Sequence, residues 1–408
     1  MSGGREAGLV PAEQRVEVAS ELMLRFAERT GIGSERPPQR YLWTDAFAVC
    51  NYLALWQSTG AQRYRQLALD LVGQVHRVLG RHRDDDARSG WISGLGDREA
   101  ELHPTCGGLR IGKPLPERPL AAPIDERLEW ERDGQYFHYL TKWMHALDQV
   151  ARSSREVRFN TWARELAEVA HRAFSRASRD GRRMVWKMSV DLSRPLVPSM
   201  GQHDPLDGLV TCLQLRATAT SLSDAPREPS LDAAVSDFAR LIRGQNLATS
   251  DPLGLGGLLI DAGRVAQLMD QEELVAGELL EGLLDAAVAG LVHFEQQNDL
   301  RQPASRRLAF RELGLAIGLA ALGPIERVLQ IVPSGSADRA RIRARLAALG
   351  RHAALGSEIM NFWRASEPRQ TRLWVEHGDI NDVMLATCLV PEGALILASV
   401  RTGNGQGG

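Results

Sequence analysis

Histidine and aspartate occur together where long apolar helices are predicted to begin. In the clearest case, His203 is followed by Asp204, Pro205 and Asp207. Asp204 is expected to cap the helix, and Pro205 suits its first position. Histidine titrates near neutrality, so His203 is suited to proton transfer. We predict that His203 faces a pocket. Asp204 could either take part in the chemistry of that pocket or only cap the helix.

A second histidine has the same setting near the end of the chain. His377 is followed by Asp379 and, three residues later, by Asp382. Carboxylates at such positions can be acids, bases or acceptors for hydroxyl groups. Another histidine, His138, lies on the second inner helix. It could belong to the site, or it could be a core histidine whose hydrogen bonds are satisfied. The predicted catalytic residues are His203, Asp207, His377, Asp382 and Asp133.

Aromatic and basic residues fall near the same helix starts. Aromatic faces beside carboxylates suit sugar rings. In the segment 82–132, basic residues flank a Gly-Gly turn that could bind a carboxylate or phosphate, although an ordered lid explains the glycines equally. At the start of the fifth inner helix, Arg307 and Arg311 could form an anion-binding face beside a structural Glu312, or these residues could be catalytic. The predicted substrate-binding residues are Trp43, Asp45, Trp91, His103, Arg110, Lys113, Trp130, Trp186, Arg311 and Trp374.

Apolar periodicity predicts about twelve helices to position these residues. Alternate helices are apolar on nearly all sides and should be buried, whereas those between them carry a charged stripe. The start pattern recurs about every 67 residues, the length of two helices with their connections. We therefore predict an all-α (α/α)6 barrel of six inner and six outer helices, with a single domain over 11–401 and flexible termini at 1–10 and 402–408. The predicted helices span 11–31, 43–58, 61–81, 133–153, 157–178, 205–222, 229–245, 252–270, 273–297, 304–323, 336–363 and 379–391.

Three long connections, 82–132, 179–203 and 364–378, lead from an outer helix to an inner one. Connections of this length within a compact domain are usually functional. We therefore predict that the pocket lies at the N-terminal ends of the inner helices.

Composition excludes several classes of protein. The net charge of −2 argues against a nucleic-acid-binding protein. The longest uncharged run, 313–325, is too short to span a membrane. The N-terminus has no signal-peptide pattern, so a cytoplasmic location is expected. The four cysteines are far apart and no cluster has convincing ligand spacing, so no metal and no cofactor is expected. The expected partner is a small sugar or sugar acid, and a homodimer is compatible with the sequence.

Only three of the 49 basic residues are lysines: Lys113, Lys142 and Lys187. All three lie between His103 and His203. Arginine and lysine are exchangeable on surfaces but not at shaped sites. We predict that Lys142 and Lys187 are largely buried and lie close to an acidic partner or to the pocket.

The alternation of helices and the His203 and His377 stretches resemble the six-hairpin glycosidase-like superfamily, which includes unsaturated glucuronyl hydrolases and N-acylglucosamine 2-epimerases. The resemblance implies a carbohydrate-active enzyme. A glycoside hydrolase would use aspartates at the inner-helix starts. A sugar 2-epimerase or aldose–ketose isomerase would move a proton with His203 and His377, although the fourth inner helix begins with Thr249-Ser250-Asp251, where those enzymes typically carry another histidine. The third alternative is a non-catalytic or cyclase-like toroid that binds a small ligand.

Overall fold

The computed structural model describes residues 11–178, 181–197, 199–222, 228–270, 277–297, 299–331 and 337–398. The predicted flexible termini, 1–10 and 402–408, lie outside these ranges. The helices are α1 (Ala12–Thr30), α2 (Leu42–Thr59), α3 (Gln62–Leu79), α4 (Asp97–Leu102), α5 (Glu126–Glu129), α6 (Phe137–Ser154), α7 (Val157–Phe174), α8 (Asp204–Ser221), α9 (Asp232–Leu241), α10 (Pro252–Asp270), α11 (Gly277–Gln297), α12 (Ala309–Ala320), α13 (Leu322–Ile331), α14 (Ala337–Gly350), α15 (Ala353–Arg364), α16 (Arg372–Glu376), α17 (Gly378–Leu389) and α18 (Glu392–Leu395).

Six helices form a closed inner ring. In order around the ring they are α2, α6, α8, α10, α12 and α17, and α17 packs back against α2. Helix α2 shows why these sequences lie inside, because every residue from Leu42 to Leu55 is buried. Helices α1, α3, α7, α9 and α11, together with α13–α15, pack around the ring. This arrangement is the predicted (α/α)6 barrel.

Glycines allow two inner helices to touch along their backbones. A Cβ atom at Gly256 of α10 would lie 2.1 Å from the carbonyl oxygen of Gly314 on α12, and one at Gly318 would lie 2.5 Å from the Cα of Gly256. Neither position can hold a larger residue without moving a helix. The Gly-rich patterns in these two helices therefore reflect close packing.

Several predicted helix boundaries were wrong. The helix predicted from residue 133 begins at Phe137, because Gln135 and Tyr136 form strand β1. The predicted helix 304–323 begins with a 3-10 turn at Ala304–Arg306, and α12 starts at Ala309. The predicted helix 336–363 is divided into α14 and α15, and the division follows Gly350, a residue that favours helix ends.

Short antiparallel strands lie in and around the predicted connection 179–203. Strand β2 (Ser175–Ser178) pairs with β3 (Gly181–Met184), and β4 (Lys187–Met188) lies between β1 and β5 (Pro195–Val197). Within the described ranges, no helix has both the length and the apolar character needed to cross a membrane.

Lys187 on β4 is fully buried, and its ammonium group is surrounded by oxygen atoms. It donates to the carboxylate of Glu129 at 3.2 Å and to the backbone carbonyls of Glu129 and Arg132. The predicted burial of Lys187 beside an acidic partner is confirmed.

Replacing Lys187 by arginine should destabilise the fold by about 1–3 kcal/mol, because the planar guanidinium is larger than this pocket. Thermal unfolding measures the effect. The control is Arg158→Lys, because Arg158 is 58% exposed and its replacement should change stability by less than about 0.5 kcal/mol. Equal unfolding midpoints for Lys187→Arg and the wild type would contradict this account of Lys187.

Candidate active site

A cavity of about 210 Å³ lies at the N-terminal ends of the inner helices, and all six of these helices line it. Such convergence explains why polar residues recur at the inner-helix starts. The lining residues are Trp43, Phe47, His138, Lys142, His203, Asp204, Asp207, Asp251, Leu253, Gly254, Gly257, Ile260, Asp261, Gly314 and Met384.

Two acids at the start of α8 have different partners. Asp204 accepts a hydrogen bond from the backbone N–H of Gly201 at 3.1 Å. Its predicted capping role is wrong, since this bond points backward into the preceding loop. One turn further on, Asp207 forms an ion pair with Lys142 of α6 at 2.7 Å. The predicted proximity of Lys142 to both an acid and the pocket is therefore confirmed.

These partners shift the acidities of the two carboxyl groups in opposite directions. Burial raises the pKa of Asp204 to about 7, and the negative charge of Asp207 adds to the rise. Burial alone would also raise the pKa of Asp207. The charge of Lys142 and the hydrogen bonds from Asp261 and Lys142 outweigh this effect and lower the pKa. Near neutrality Asp204 is therefore about half protonated, whereas Asp207 on the same helix is ionised.

Asp207 is also hydrogen-bonded to Asp261 of α10. Burial and the charge of Asp207 raise the pKa of Asp261 to about 7, so that Asp261 retains a proton to donate. Arg264 contacts Asp261 at 2.9 Å and donates to Gln214 at 2.7 Å. Gln214 in turn donates to Asp148. A continuous polar network thus holds the Asp207 carboxylate from behind.

An apolar wall and an aromatic path complete the cavity. The rings of Trp43 and Phe47 lie 4.6 Å apart on α2. A second set of rings begins at Trp130, which is 56% exposed, and continues through Trp186 and Tyr136 to His138 at the cavity. The centroid separations along this path are 5.0, 4.8 and 5.6 Å.

Three predicted site residues, Trp43, His203 and Asp207, line the cavity together. Nε2 of His203 is held 2.8 Å from the carbonyl oxygen of Leu247. His377 lies at the same end of the barrel, at the start of α17, but it is exposed and packs against Phe310. The histidine that joins His203 among the described lining residues is His138.

Several predicted carboxylates are occupied by arginine. Asp133, placed at the pocket rim by the sequence, is fully buried and pairs with Arg110 at 2.6 Å. It lies in a loop before α6, where it also accepts from backbone N–H groups. Asp382 accepts from Arg29 and Arg369. Asp45 lies 3.5 Å from Arg40 and accepts from the backbone N–H of Tyr41. These contacts hold all three carboxylates in ion pairs and hydrogen bonds with neighbouring residues.

The remaining predicted residues are distributed around the barrel end. Arg311 pairs with Asp251 at the cavity margin, and Lys113 lies 5.4 Å from the centroid of the Tyr41 ring. Trp91 donates to Asp97, and Trp374 stacks on Trp363. His103 contacts Glu165 of α7.

Asp261, Arg264 and the acidity of Asp204 were missed by the sequence analysis. Asp261 and Arg264 are three positions apart in an inner helix that is otherwise mostly apolar. Charged residues are rare inside such a helix unless they are paired, so their presence was a usable signal.

No protein-family model and no curated protein matches the chain. Among solved structures, the GH76A α-1,6-mannanase from Salegentibacter sp. has a TM-score of 0.50 and 10% identity, covering 94% of this chain and 99% of the mannanase. A structure described as a possible member of the GH105 family, from Salmonella enterica serovar Paratyphi A, has a TM-score of 0.53 and 12% identity, covering 96% of each chain.

A third similar structure is a variant of the same mannanase, described as inactive, in which two aspartates are changed to asparagine. It contains α-1,6-mannotriose and matches with a TM-score of 0.51 and 10% identity, covering 94% of this chain and 99% of the variant. The chain therefore shares the (α/α)6 fold of these solved structures.

Proposed function

We propose that the chain is a carbohydrate-active enzyme that hydrolyses glycosidic bonds in the central cavity. The observation that supports this most strongly is the pair of aspartates on α8 whose pKa values are shifted in opposite directions. Two carboxyl groups whose pKa values differ in this way provide the acid and the base that glycoside hydrolysis needs.

Asp204 is the proposed general acid. Because its pKa is about 7, about half of the Asp204 carboxyl groups keep a proton at neutral pH and can give it to the glycosidic oxygen as the carbon–oxygen bond breaks. Asp207 is ionised and stabilises the positive charge that develops at the anomeric carbon. Water attacks the anomeric carbon and supplies the oxygen of the new hydroxyl group, and Asp207 accepts the proton that the water loses.

Asp207 and Asp261 do not form the acid and nucleophile pair with each other. They are within hydrogen-bonding distance, whereas the two carboxyl groups of a retaining glycosidase are about 5–5.5 Å apart and those of an inverting enzyme about 6.5–9.5 Å apart. Asp261 and Lys142 are therefore positioning residues that orient the Asp207 carboxylate and keep it ionised.

The aromatic residues favour a sugar as the ligand. Trp43 and Phe47 offer an apolar surface opposite carboxylates that can accept hydrogen bonds from hydroxyl groups. The exposed ring of Trp130 and the partly exposed ring of Trp186 would bind further sugar units outside the cavity, so we propose an oligosaccharide as the substrate. The mannanase, whose inactive variant contains bound mannotriose, is a precedent for sugar binding by a protein of the same fold.

A sugar epimerase or isomerase is the second candidate. The observation that favours it is that two histidines line the cavity, although the pair is His138 and His203 and excludes His377. Burial lowers the pKa of His138 to about 4, so its imidazole is neutral near pH 7.

Incubation of the purified chain in deuterium oxide would distinguish the candidates. The substrate panel would contain α-1,6-linked mannooligosaccharides, uronic-acid disaccharides and sugar phosphates. The products would be separated by chromatography and their masses measured by mass spectrometry. Hydrolysis is expected to release shorter sugars without carbon-bound deuterium. An epimerase would incorporate deuterium without cleavage, and a panel with neither result would favour the non-catalytic toroid.

A further inference from the structure

A second cluster of reactive side chains lies on the outer layer of the barrel. His103 and Cys106 come from the connection between α3 and α6, and Glu165 comes from α7. One ligand atom from each residue lies within 4.8 Å of the others, and Nδ1 of His103 is 2.6 Å from Oε1 of Glu165. None of the three is among the described residues that line the central cavity.

The segment that carries His103 and Cys106 is fixed to α7 at two points. Thr105 donates to the backbone carbonyl of Trp162 at 2.8 Å, and the indole N–H of Trp162 donates to the carbonyl of Leu102 at 2.7 Å. Glu165 is one turn further along α7. The fold therefore holds the three donors together before any ligand binds, which lowers the entropic cost of binding.

One donor atom in the cluster lacks a partner. Oε2 of Glu165 is buried and no hydrogen bond of ordinary length reaches it in the described part of the chain, although the Cys106 thiol interacts with the same carboxylate. A buried carboxylate oxygen in this state is costly, and such groups are rare in native structures. A cation bound between Glu165, His103 and Cys106 would satisfy this oxygen.

The donor types match a borderline-soft cation. Imidazole nitrogen, thiolate sulfur and carboxylate oxygen are all ligands of Zn²⁺, which favours four tetrahedral positions. Three protein ligands leave the fourth position free. Cys106 also lines a surface groove of about 850 Å³, from which water or a small ligand could reach that position.

Small movements would complete the coordination geometry. Zinc–ligand distances of about 2.0–2.3 Å place tetrahedral ligand atoms about 3.3–3.7 Å apart, so the 2.6 Å contact between His103 and Glu165 must open slightly. The His103 side chain is 38% exposed and has room to shift. Its Nε2 is 3.7 Å from Glu99, which can orient the ring when Nδ1 binds a metal.

We propose that His103, Cys106 and Glu165 form a binding site for a divalent transition metal of the zinc class, with one coordination position facing the groove. This differs from the sequence-based expectation of no metal, because Glu165 is too distant along the chain for the three residues to form a recognisable spacing.

Titration of the metal-free chain with Co²⁺ tests the proposal, because a thiolate–cobalt bond gives a near-ultraviolet charge-transfer band that nitrogen and oxygen ligands do not give. One equivalent of Co²⁺ is expected to produce the band, and Zn²⁺ should abolish it. Cys106→Ser should remove the band. In His103→Gln, zinc affinity should fall by more than the roughly 10–100-fold that loss of an outer-shell partner costs.

His352 provides a matched control. Its Nδ1 lies 2.7 Å from Oε1 of Glu295, which reproduces the histidine–glutamate contact without the cluster's cysteine. His352→Gln should leave both the band and the zinc affinity unchanged. The absence of a band in the wild type, or equal zinc affinity in His103→Gln and His352→Gln, would overturn the proposal. Because His103 is partly exposed, His103→Gln should fold even if Cys106→Ser does not, and circular dichroism without metal checks both.

Discussion

Replacing Asp204 by asparagine is expected to lower kcat/KM for glycoside cleavage by about 10²–10⁴-fold, the usual contribution of a general acid. Asparagine has nearly the same shape and can still accept the hydrogen bond from Gly201, so the helix start should be preserved. It has no acidic proton to give to the leaving oxygen. The loss should therefore appear mainly in kcat, with KM little changed.

Two further measurements separate acid catalysis from a structural role of Asp204. A nitrophenyl group leaves with little need for protonation of its oxygen. For a nitrophenyl glycoside, the rate of Asp204→Asn should therefore be much closer to the wild-type rate than it is for an ordinary glycoside. Wild-type kcat/KM for an ordinary glycoside should fall as pH rises above about 7, because Asp204 then loses its proton.

Asp379→Asn is the matched control for Asp204→Asn. Asp379 is also a first-turn aspartate of an inner helix, but it is 44% exposed and pairs with Arg29. Its replacement should leave kcat/KM unchanged. Equal losses in the two variants, or an equal loss with both leaving groups, would contradict the assignment of Asp204 as the acid.

The barrel was predictable because burial determines which residues an inner helix can use. Helices α10 and α12 are rich in glycine, alanine and leucine on every side, and only a central ring provides such surroundings. Their exact boundaries depend on contacts that periodicity does not contain. The start of α6 at Phe137, for example, follows from the pairing of β1 with β4, about fifty residues further along the chain.

The roles of individual aspartates were less predictable. Asp204, Asp251 and Asp379 occupy similar sequence patterns, yet they make different contacts. Asp251 caps α10 by accepting from the N–H of Gly254, Asp204 bonds to the preceding loop, and Asp379 pairs with Arg29. The pattern indicates the end of the barrel at which these residues lie. Which carboxylate keeps a proton depends on burial and on charges from neighbouring helices.

Contacts between residues that are far apart in the sequence were the hardest to identify. Lys142 was found through the scarcity of lysine, but its partner Asp207 is 65 positions away. Glu165 is similarly remote from His103 and Cys106. Tertiary packing determines which side chains meet over such separations, and the pattern of a single sequence does not reveal it.

Lys142→Met should be the most destabilising of the proposed changes, at about 3–5 kcal/mol near neutral pH, because it leaves Asp207 buried without its cation. The Asp207 side chain is only 10% exposed, and methionine fills much of the lysine volume, so lost charge pairing should dominate. Denaturant unfolding at pH 7 measures the loss. The control is Lys113→Met, because the Lys113 ammonium contacts the Tyr41 ring and should contribute about 1 kcal/mol or less.

The pH dependence and a double variant test the electrostatic origin of this loss. Without Lys142, burial should raise the pKa of Asp207 above its value in the unfolded chain, so stability is lost as pH rises through the folded-state pKa. The deficit of Lys142→Met should therefore be smaller at pH 5 than at pH 8. Adding Asp207→Asn removes the unpaired charge and should restore most of the lost stability. If the two substitutions instead destabilise additively, with no change between pH 5 and pH 8, Lys142 acts through packing and the ion pair does not hold the Asp207 carboxylate in its ionised state.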